Sequence, residues 1–252
     1  MIRAVLVDLG DTLVHLNRPW DDVFQDNLES LYVFLKSAGT NSSFEEFARV
    51  FIHEYEGASA LSQFYKVEVP MSDIISRVLR KIKIKDSHGT VAHSAAREYY
   101  RPELGSWQVY PDTLKTLTEL RGNGFRMGLI SNAKSDWAVR SILGKLDLAK
   151  FFDVVVTSAA LRVRKPRLDI FSRALAALDV KAAETVLVGD SLQADILGAK
   201  LAGIRAIYVS RRPSDHPPYV VPDVTVNSLS EALVQIINWN GASVKEISHG
   251  NL

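Results

Sequence analysis

The 252-residue sequence contains no cysteine. That absence removes disulfides, thiolate metal centres and a cysteine nucleophile together, and it fits a reducing compartment. Long apolar runs are missing as well: no stretch approaches the roughly 20 residues that cross a bilayer. Neither sign of charge is in excess. Lys and Arg number 30 against 29 Asp and Glu, a formal net charge of +1, so no global field recruits nucleic acid or an anionic membrane. The six histidines are scattered without metal-ligand spacing. There is no internal repeat and no low-complexity segment. A first strand from Ile2 leads us to expect no signal peptide and a cytoplasmic protein. The composition that remains is ordinary for a globular protein, 47% hydrophobic and 23% charged. The chain is long enough for one large domain, or for a core with a smaller insert.

What is present begins with Val5-Leu6-Val7-Asp8-Leu9-Gly10-Asp11-Thr12-Leu13. A short, almost fully apolar run reads as a buried parallel strand. An acid at its carboxyl end stands where open α/β sheets bind ligands. From Arg18 to about Tyr100 no strand is expected. Val23, Phe24, Leu28, Leu31, Tyr32 and Leu35 recur at helical spacing behind Pro19 and before Gly39. Ser43 with Glu46 makes a capping box for a second helix through Phe44, Phe47, Val50 and Phe51. Ile74, Ile75, Val78, Leu79 and Ile82 stripe a third helix over 72–83, and a fourth covers 91–100.

Past Pro102 the rhythm becomes strand–helix alternation. Helices are expected from Val109-Tyr110-Pro111-Asp112 onward, near 137–146, after Lys165-Pro166, around Asp195 and from Ser230. Strands are expected over 125–130, 153–157, 185–188, 205–209 and, at an edge, 224–226. Such alternation implies a parallel sheet covered on both faces. The first strand must join it, because a lone strand cannot bury itself. We therefore expect an α/β fold: a Rossmann-like parallel core with helices on both faces, discontinuous over 1–15 and 103–240. A helical insertion occupies 16–102, and a loosely held tail spans 241–252.

Polar residues at the expected strand ends are Asp8, Ser131, Lys165 beyond the strand 153–157, and Asp190, with Asp195 further on. In a parallel α/β sheet all of these reach one edge. Three carboxylates, a hydroxyl and an ammonium there make a divalent-cation site with a phosphate slot. Mg²⁺ prefers hard oxygen ligands. Asp8 and Asp190 are assigned as direct ligands, and Gly10 can supply a carbonyl. A carboxylate beside a cation and a lysine stays ionised and can attack phosphorus to form an aspartyl-phosphate. Lys165 and Ser131 would hold the oxygens of the transferred group.

This set resembles the haloacid dehalogenase (HAD) superfamily. Asp8-Leu9-Gly10-Asp11-Thr12 is similar to its first motif, Ile130-Ser131-Asn132 to the second, Arg164-Lys165-Pro166 to the third, and Gly189-Asp190-Ser191 with Asp195 to the fourth. The insertion resembles the helical cap of that superfamily's first cap class. The resemblance implies Asp8 as nucleophile, Ser131 and Asn132 as phosphate-binding groups, and Lys165 as the charge-neutralising lysine. It implies Asp190 as a magnesium ligand, and Asp195 as a ligand through water or an outer residue orienting Lys165. A small phosphorylated metabolite is then the expected partner, with neither nucleic acid nor membrane, and with Mg²⁺ as cofactor. Most phosphatases of the family carry Asp-x-Asp-Gly-Thr, whose second Asp is the general acid/base. Here Gly10 stands at that position and the acid is one residue later, at Asp11. Side chains alternate along extended chain, so Asp11 does not simply take over. Either a turn redirects it, or water or a cap residue protonates the leaving group, or catalysis is slow.

Plainer roles stand beside these. Asp11 can cap the turn after the first strand, Asp195 can be a helix first-turn acid, and Ser131-Asn132 can be a helix N-cap. His15 and Arg18 lie near the presumed hinge, where they either meet substrate or serve as surface residues. Arg77, Arg80, Lys81, Lys83 and Lys85 read as a solvated helix face. Phe51, Tyr55, Phe64 and Tyr65 are expected in the interior of the cap, as core or as its inner lining. Gly10 also permits metal-independent 2-haloacid hydrolysis, and a binding or regulatory protein on the same fold is a further alternative. No motif in the sequence identifies the substrate or the oligomeric state.

Overall fold

The computed structural model describes residues 1–86, 88–211 and 220–241. Of the tail expected from residue 241, all but Gly241 lies outside the described residues. The central element is β1 (Ala4–Val7), every residue of which is buried. It pairs in parallel with β4 (Arg126–Ser131) on one side and β6 (Thr185–Gly189) on the other. β5 (Val154–Thr157), β7 (Arg205–Val209) and β8 (Val224–Val226) complete a six-stranded sheet in the order β5-β4-β1-β6-β7-β8. All its pairings are parallel. Strand order reverses beside β1, so the crevice at its carboxyl end is the switch point at which such sheets bind ligands.

Both faces of the sheet are covered, as a parallel sheet requires. Val5, Val7, Met127, Leu129, Val186 and Val188 point to one face. They pack under α5 (Thr113–Gly122), α6 (Asp136–Lys145) and α10 (Leu229–Trp239). Ala4, Leu6, Ile130, Leu187 and Ala206 point to the other, under α8 (Leu168–Leu178) and α9 (Leu197–Leu201). The alternation of β1 between the two clusters follows from the two-residue period of a strand.

Between β1 and β4 stands the helical insertion: α1 (Trp20–Ser37), α2 (Phe44–Tyr65), α3 (Met71–Lys81) and α4 (Thr90–Tyr100). Its own apolar cluster includes Leu31, Leu35, Phe47, Phe51, Ile74, Val78 and Tyr99. Burial of each large side chain contributes about 1.5–3 kcal/mol. The Ser43 hydroxyl accepts from the Glu46 N–H at 3.2 Å, as the capping pattern foresees. α2 continues well past Phe51 because Ala58 and Ser62 prolong its buried stripe, and Lys66 ends it in the left-handed conformation (φ 54°).

Four expectations change. Phe64 and Tyr65 are 78% and 61% exposed at the end of α2, outside the interior expected for them. Val109 belongs to a strand rather than a helix start: β2 (Val14–Leu16) and β3 (Trp107–Val109) form a two-stranded antiparallel ribbon. Three residues are too few for alternation to register in sequence. A further short helix, α7 (Ser158–Leu161), follows β5. Asp195 sits not in an α-helix but in a π-helical turn over Leu192–Ile196, where the Ile196 N–H reaches the Ser191 carbonyl at 3.1 Å.

Candidate active site

β1 delivers Asp8 to the switch point. The Asp8 N–H donates to the Val188 carbonyl at 3.0 Å, which fixes the residue just past the strand. The chain then turns tightly. The N–H groups of Leu13 and Val14 both donate to the Leu9 carbonyl, at 2.9 and 3.1 Å, and Asp11 takes a positive φ of 53°. Asp tolerates that region better than most residues. Of the alternatives open for Asp11, the redirecting turn is the one present: it brings Asp11 to the cavity wall. A Cβ on Gly10 would instead meet the Trp107 ring, 4.0 Å from its Cη2. Thr12 is fully buried and donates its hydroxyl to Asp190 Oδ1 at 3.2 Å.

Ser131 closes β4, and Asn132 follows. The two amide atoms of the Asn132 side chain clamp the Lys165 main chain. Oδ1 accepts from the Lys165 N–H at 2.9 Å, and Nδ2 donates to its carbonyl at 3.2 Å. Held so, Lys165 is 3% exposed and buries its ammonium among three oxygens. Nζ lies 2.5 Å from Asp8 Oδ1, 2.7 Å from Asp195 Oδ1 and 2.8 Å from the Ile130 carbonyl. β6 brings Asp190 after Gly189. The π-helical turn returns Asp195 beneath it, where Oδ2 accepts from the Ser191 N–H at 3.1 Å.

Oxygens of Asp8, Asp190 and Asp195 all lie within 4.8 Å of one another. Burial pushes the Asp190 carboxyl up to about 7, and the charges of Asp8, Asp195 and Asp11 add to the rise. Burial likewise lifts Asp195 to about 6 against the pull of Lys165. For Lys165 burial works downward, but the Asp195 and Asp8 charges outweigh it and hold the ammonium above its ordinary value. Three crowded carboxylates with one ammonium leave an excess of negative charge and hard oxygen donors. That is the chemistry of a divalent-cation site, and the residues present fit one.

The site forms the floor of a cavity of about 530 Å³ between the sheet edge and the helical insertion. Asp8, Gly10, Asp11, Ser131, Asn132, Lys165, Asp190 and Asp195 all line it. The five strand-end residues Asp8, Ser131, Lys165, Asp190 and Asp195 therefore share one cavity with Gly10, Asp11 and Asn132. His15 and Arg18 are not among the lining residues. His15 packs on Tyr110, and Arg18 bonds Ser106 and Asp26.

Other residues of the cavity and its supports carried no readable signal beforehand. Trp107 and Glu103 form part of one wall, where Glu103 accepts from Trp107 Nε1 at 3.2 Å and from Asn27 Nδ2 at 2.9 Å. Burial raises the Glu103 pKa. Opposite chain segments meet at Glu68, whose side chain is fully buried. It pairs with Arg164 and, at 3.5 Å, with Lys134, and it accepts from the Ser158 hydroxyl at 2.7 Å. A lone acid inside Val67-Glu68-Val69-Pro70 was the available clue.

A doubly wound parallel sheet, a helical insertion after its first strand and a lysine-bridged acidic cluster at the switch point define an α/β protein with an acid-rich site at its strand edge. Residues 2–203 match the model of the haloacid dehalogenase-like hydrolases, and the chain belongs to that family. It is 29% identical over 240 residues to the glyceraldehyde 3-phosphate phosphatase of Methanocaldococcus jannaschii, covering 94% of this chain and 97% of that protein. To the phosphoserine phosphatase of Thermus thermophilus it is 34% identical over 145 residues, 57% of each. A solved 2-haloacid dehalogenase from Pseudomonas syringae shares the fold with a TM-score of 0.69 at 24% identity, over 95% of this chain and all of the other.

Proposed function

We propose that this hydrolase cleaves small phosphomonoesters through a phosphorylated Asp8, with Mg²⁺ as its metal. The observation that carries the reading is the Asp8–Lys165 pair at 2.5 Å on the cavity floor, with Asp190 and Asp195 beside it. Phosphatases among the relatives of known name support it. Asp8, Asp190 and the Gly10 carbonyl would hold the ion, with Asp195 contributing directly, through water or by orienting Lys165. Bound there, Mg²⁺ neutralises the acidic cluster and polarises phosphoryl oxygens.

The Asp8 carboxylate attacks phosphorus as the ester P–O bond breaks, and Asp11 gives a proton to the departing alcohol oxygen. Water then attacks the same phosphorus while Asp11 accepts its proton. This frees phosphate and restores the Asp8 carboxylate. Ser131 and Lys165 hold the transferred oxygens, and Lys165 also orients the Asp8 carboxylate through its 2.5 Å contact. Asn132 meets the phosphate side of the cavity and acts chiefly by clamping Lys165. Residues 16–102 serve as a cap that excludes bulk water over a core of 1–15 and 103–240. The substrate is a small metabolite met in the cytoplasm.

Hydrolysis of p-nitrophenyl phosphate with and without Mg²⁺, alongside Asp8→Asn, tests the proposal. Metal-dependent turnover that vanishes in the variant is the expected result. Metal-independent chloride release from 2-chloropropionate would replace it with the dehalogenase reading, which Gly10 permits. Turnover of neither by folded protein would replace it with a binding role.

A further inference from the structure

Lys134 lies three residues beyond Ser131 and lines the same cavity as Asp8. Its backbone is fixed, because its carbonyl accepts from the Met71 N–H at 2.8 Å. The side chain is only 11% exposed. Yet Nζ has no hydrogen-bond partner among the described residues. Its nearest acid is Glu68 Oε1, at 3.5 Å, and the Tyr55 ring lies 5.4 Å away. The other Glu68 oxygen is taken by Arg164 and the Ser158 hydroxyl. One carboxylate therefore faces two cations, leaving a positive charge uncompensated. Lys66 adds a third cation to the cavity lining.

This group is rigidly tied to the catalytic end. Val67 and Val163 form an antiparallel bridge. The Glu68 N–H donates to the Arg162 carbonyl and the Arg164 N–H to the Lys66 carbonyl, each at 3.1 Å. Arg164 immediately precedes Lys165. A ligand whose phosphate meets Asp8 and Lys165 thus finds a second cationic anchor at a fixed place in the same cavity. A buried ammonium whose nearest acceptor is one shared carboxylate oxygen 3.5 Å away is poorly satisfied, and oxygens of a ligand would complete its shell. A latch between insertion and sheet, served already by Arg164 and Ser158, has no use for the spare donors of Lys134.

We infer that Lys134, with Arg164, is a specificity subsite for a second anionic group, so that the preferred phosphomonoesters carry a carboxylate. The inference rests on the phosphatase reading and narrows it to phosphate esters of hydroxy acids.

The test compares kcat/KM for glycerate 3-phosphate with that for glycerol 3-phosphate, which replaces the carboxylate by a neutral CH₂OH. Wild type, Lys134→Gln and Lys134→Arg are assayed with saturating Mg²⁺, and p-nitrophenyl phosphate serves as reference for the wild type. Wild type is expected to prefer the acid by about tenfold or more, as a hydrogen bond to a charged group allows, mainly through KM. Lys134→Gln brings the ratio towards one, and Lys134→Arg preserves it. Each ratio is internal to one protein, so partial unfolding of a variant cancels. A wild-type ratio near one, or a ratio unaltered by Lys134→Gln, overturns the subsite while aryl phosphate turnover leaves the phosphatase reading standing. Absence of aryl phosphate turnover in the wild type overturns that reading, and the subsite falls with it.

Discussion

Gly189 and Asp195 approach so closely that no side chain fits between them. A Cβ on residue 189 would lie 2.5 Å from Asp195 Cγ and 2.6 Å from its Oδ2. The π-helical turn over Leu192–Ile196 folds the carboxylate back under the end of β6 and delivers it to Lys165 at 2.7 Å. π-Helical turns often mark functional sites for this reason: one extra residue re-aims a side chain.

Gly189→Ala should therefore act on the site as well as on stability. The inserted methyl forces Asp195 or β6 to move, a cost of about 1–3 kcal/mol for overpacking. Because Asp195 is one of two carboxylates holding Lys165, the shift also loosens Asp8. A lower Tm together with a fall in kcat on p-nitrophenyl phosphate is expected; an unchanged kcat would show that Asp195 placement is unimportant.

Asp8→Asn should separate chemistry from folding. The proposed nucleophile is lost, so turnover falls by about 10⁴-fold or more, as when a covalent catalyst is removed. Lys165 keeps its partner Asp195, and one of the three crowded charges disappears. Stability measured by urea unfolding near pH 8 should be equal to or above that of the wild type. A clear loss would mean that the Asp8–Lys165 pair is chiefly structural.

How much of this was legible beforehand depended on whether a feature is periodic. The sheet strands and the inserted helices were readable because Val5-Leu6-Val7 and the Leu28–Leu31–Leu35 stripe repeat at their own intervals. Asp8, Ser131, Lys165, Asp190 and Asp195 followed, since strand ends of a parallel sheet share an edge. Local geometry without a period did not follow. The Asp11 turn depends on a positive φ, so the sequence could offer it only as one alternative among several, and the fold selects it. The β2–β3 ribbon joins residues about ninety positions apart through three residues each, too short to signal. Glu68 gathers Arg164, Lys134 and Ser158 from distant segments, a pairing that only the folded chain brings into being.

Metal and pH should be linked through Asp190 and Asp195. Their folded pKa values, about 7 and about 6, lie above the ordinary 3.8. In metal-free protein the folded state holds more protons than the unfolded state between these limits. Stability from these groups is thus present at about pH 4 and lost as pH rises through 6 to 7. Lys165 contributes no slope in this range, since it is protonated in both states. A divalent cation replaces the lost protons, so Mg²⁺ should raise Tm more at pH 8 than at pH 5. At 100 times its Kd the gain is about 2.7 kcal/mol, or a Tm rise of several degrees. Differential scanning calorimetry at the two pH values reads the difference; equal shifts would argue against an acidic-cluster site.

Asp11→Asn should reveal its role through the leaving group. An alkyl phosphate needs its departing oxygen protonated, and loss of a general acid costs about 10²–10⁴ in rate. p-Nitrophenolate leaves without that help, so its kcat/KM, which the later attack of water does not enter, should fall far less. A plot of kcat/KM against leaving-group pKa should steepen in the variant. Parallel lines for variant and wild type would assign Asp11 to the turn alone, with Gly10 and Trp107 leaving the proton to water.

Glu68→Ala should be the most destabilising of these changes. The carboxylate is fully buried and is the charge partner of both Arg164 and Lys134. Removing one member of a buried ion pair typically costs about 3–5 kcal/mol, because the remaining charge stays desolvated; here two cations are left together. A Tm fall of roughly 10 °C is expected from a cost of that size. Glu68→Gln keeps an acceptor for Arg164 and Ser158 and should lose less. Its neutral side chain also leaves the Lys134 end of the cavity more positive, so the folded fraction should bind anions there at least as well as wild type. If Glu68→Ala unfolds at the wild-type temperature, the cluster contributes no net stability, and its cations are held for the ligand rather than for the fold.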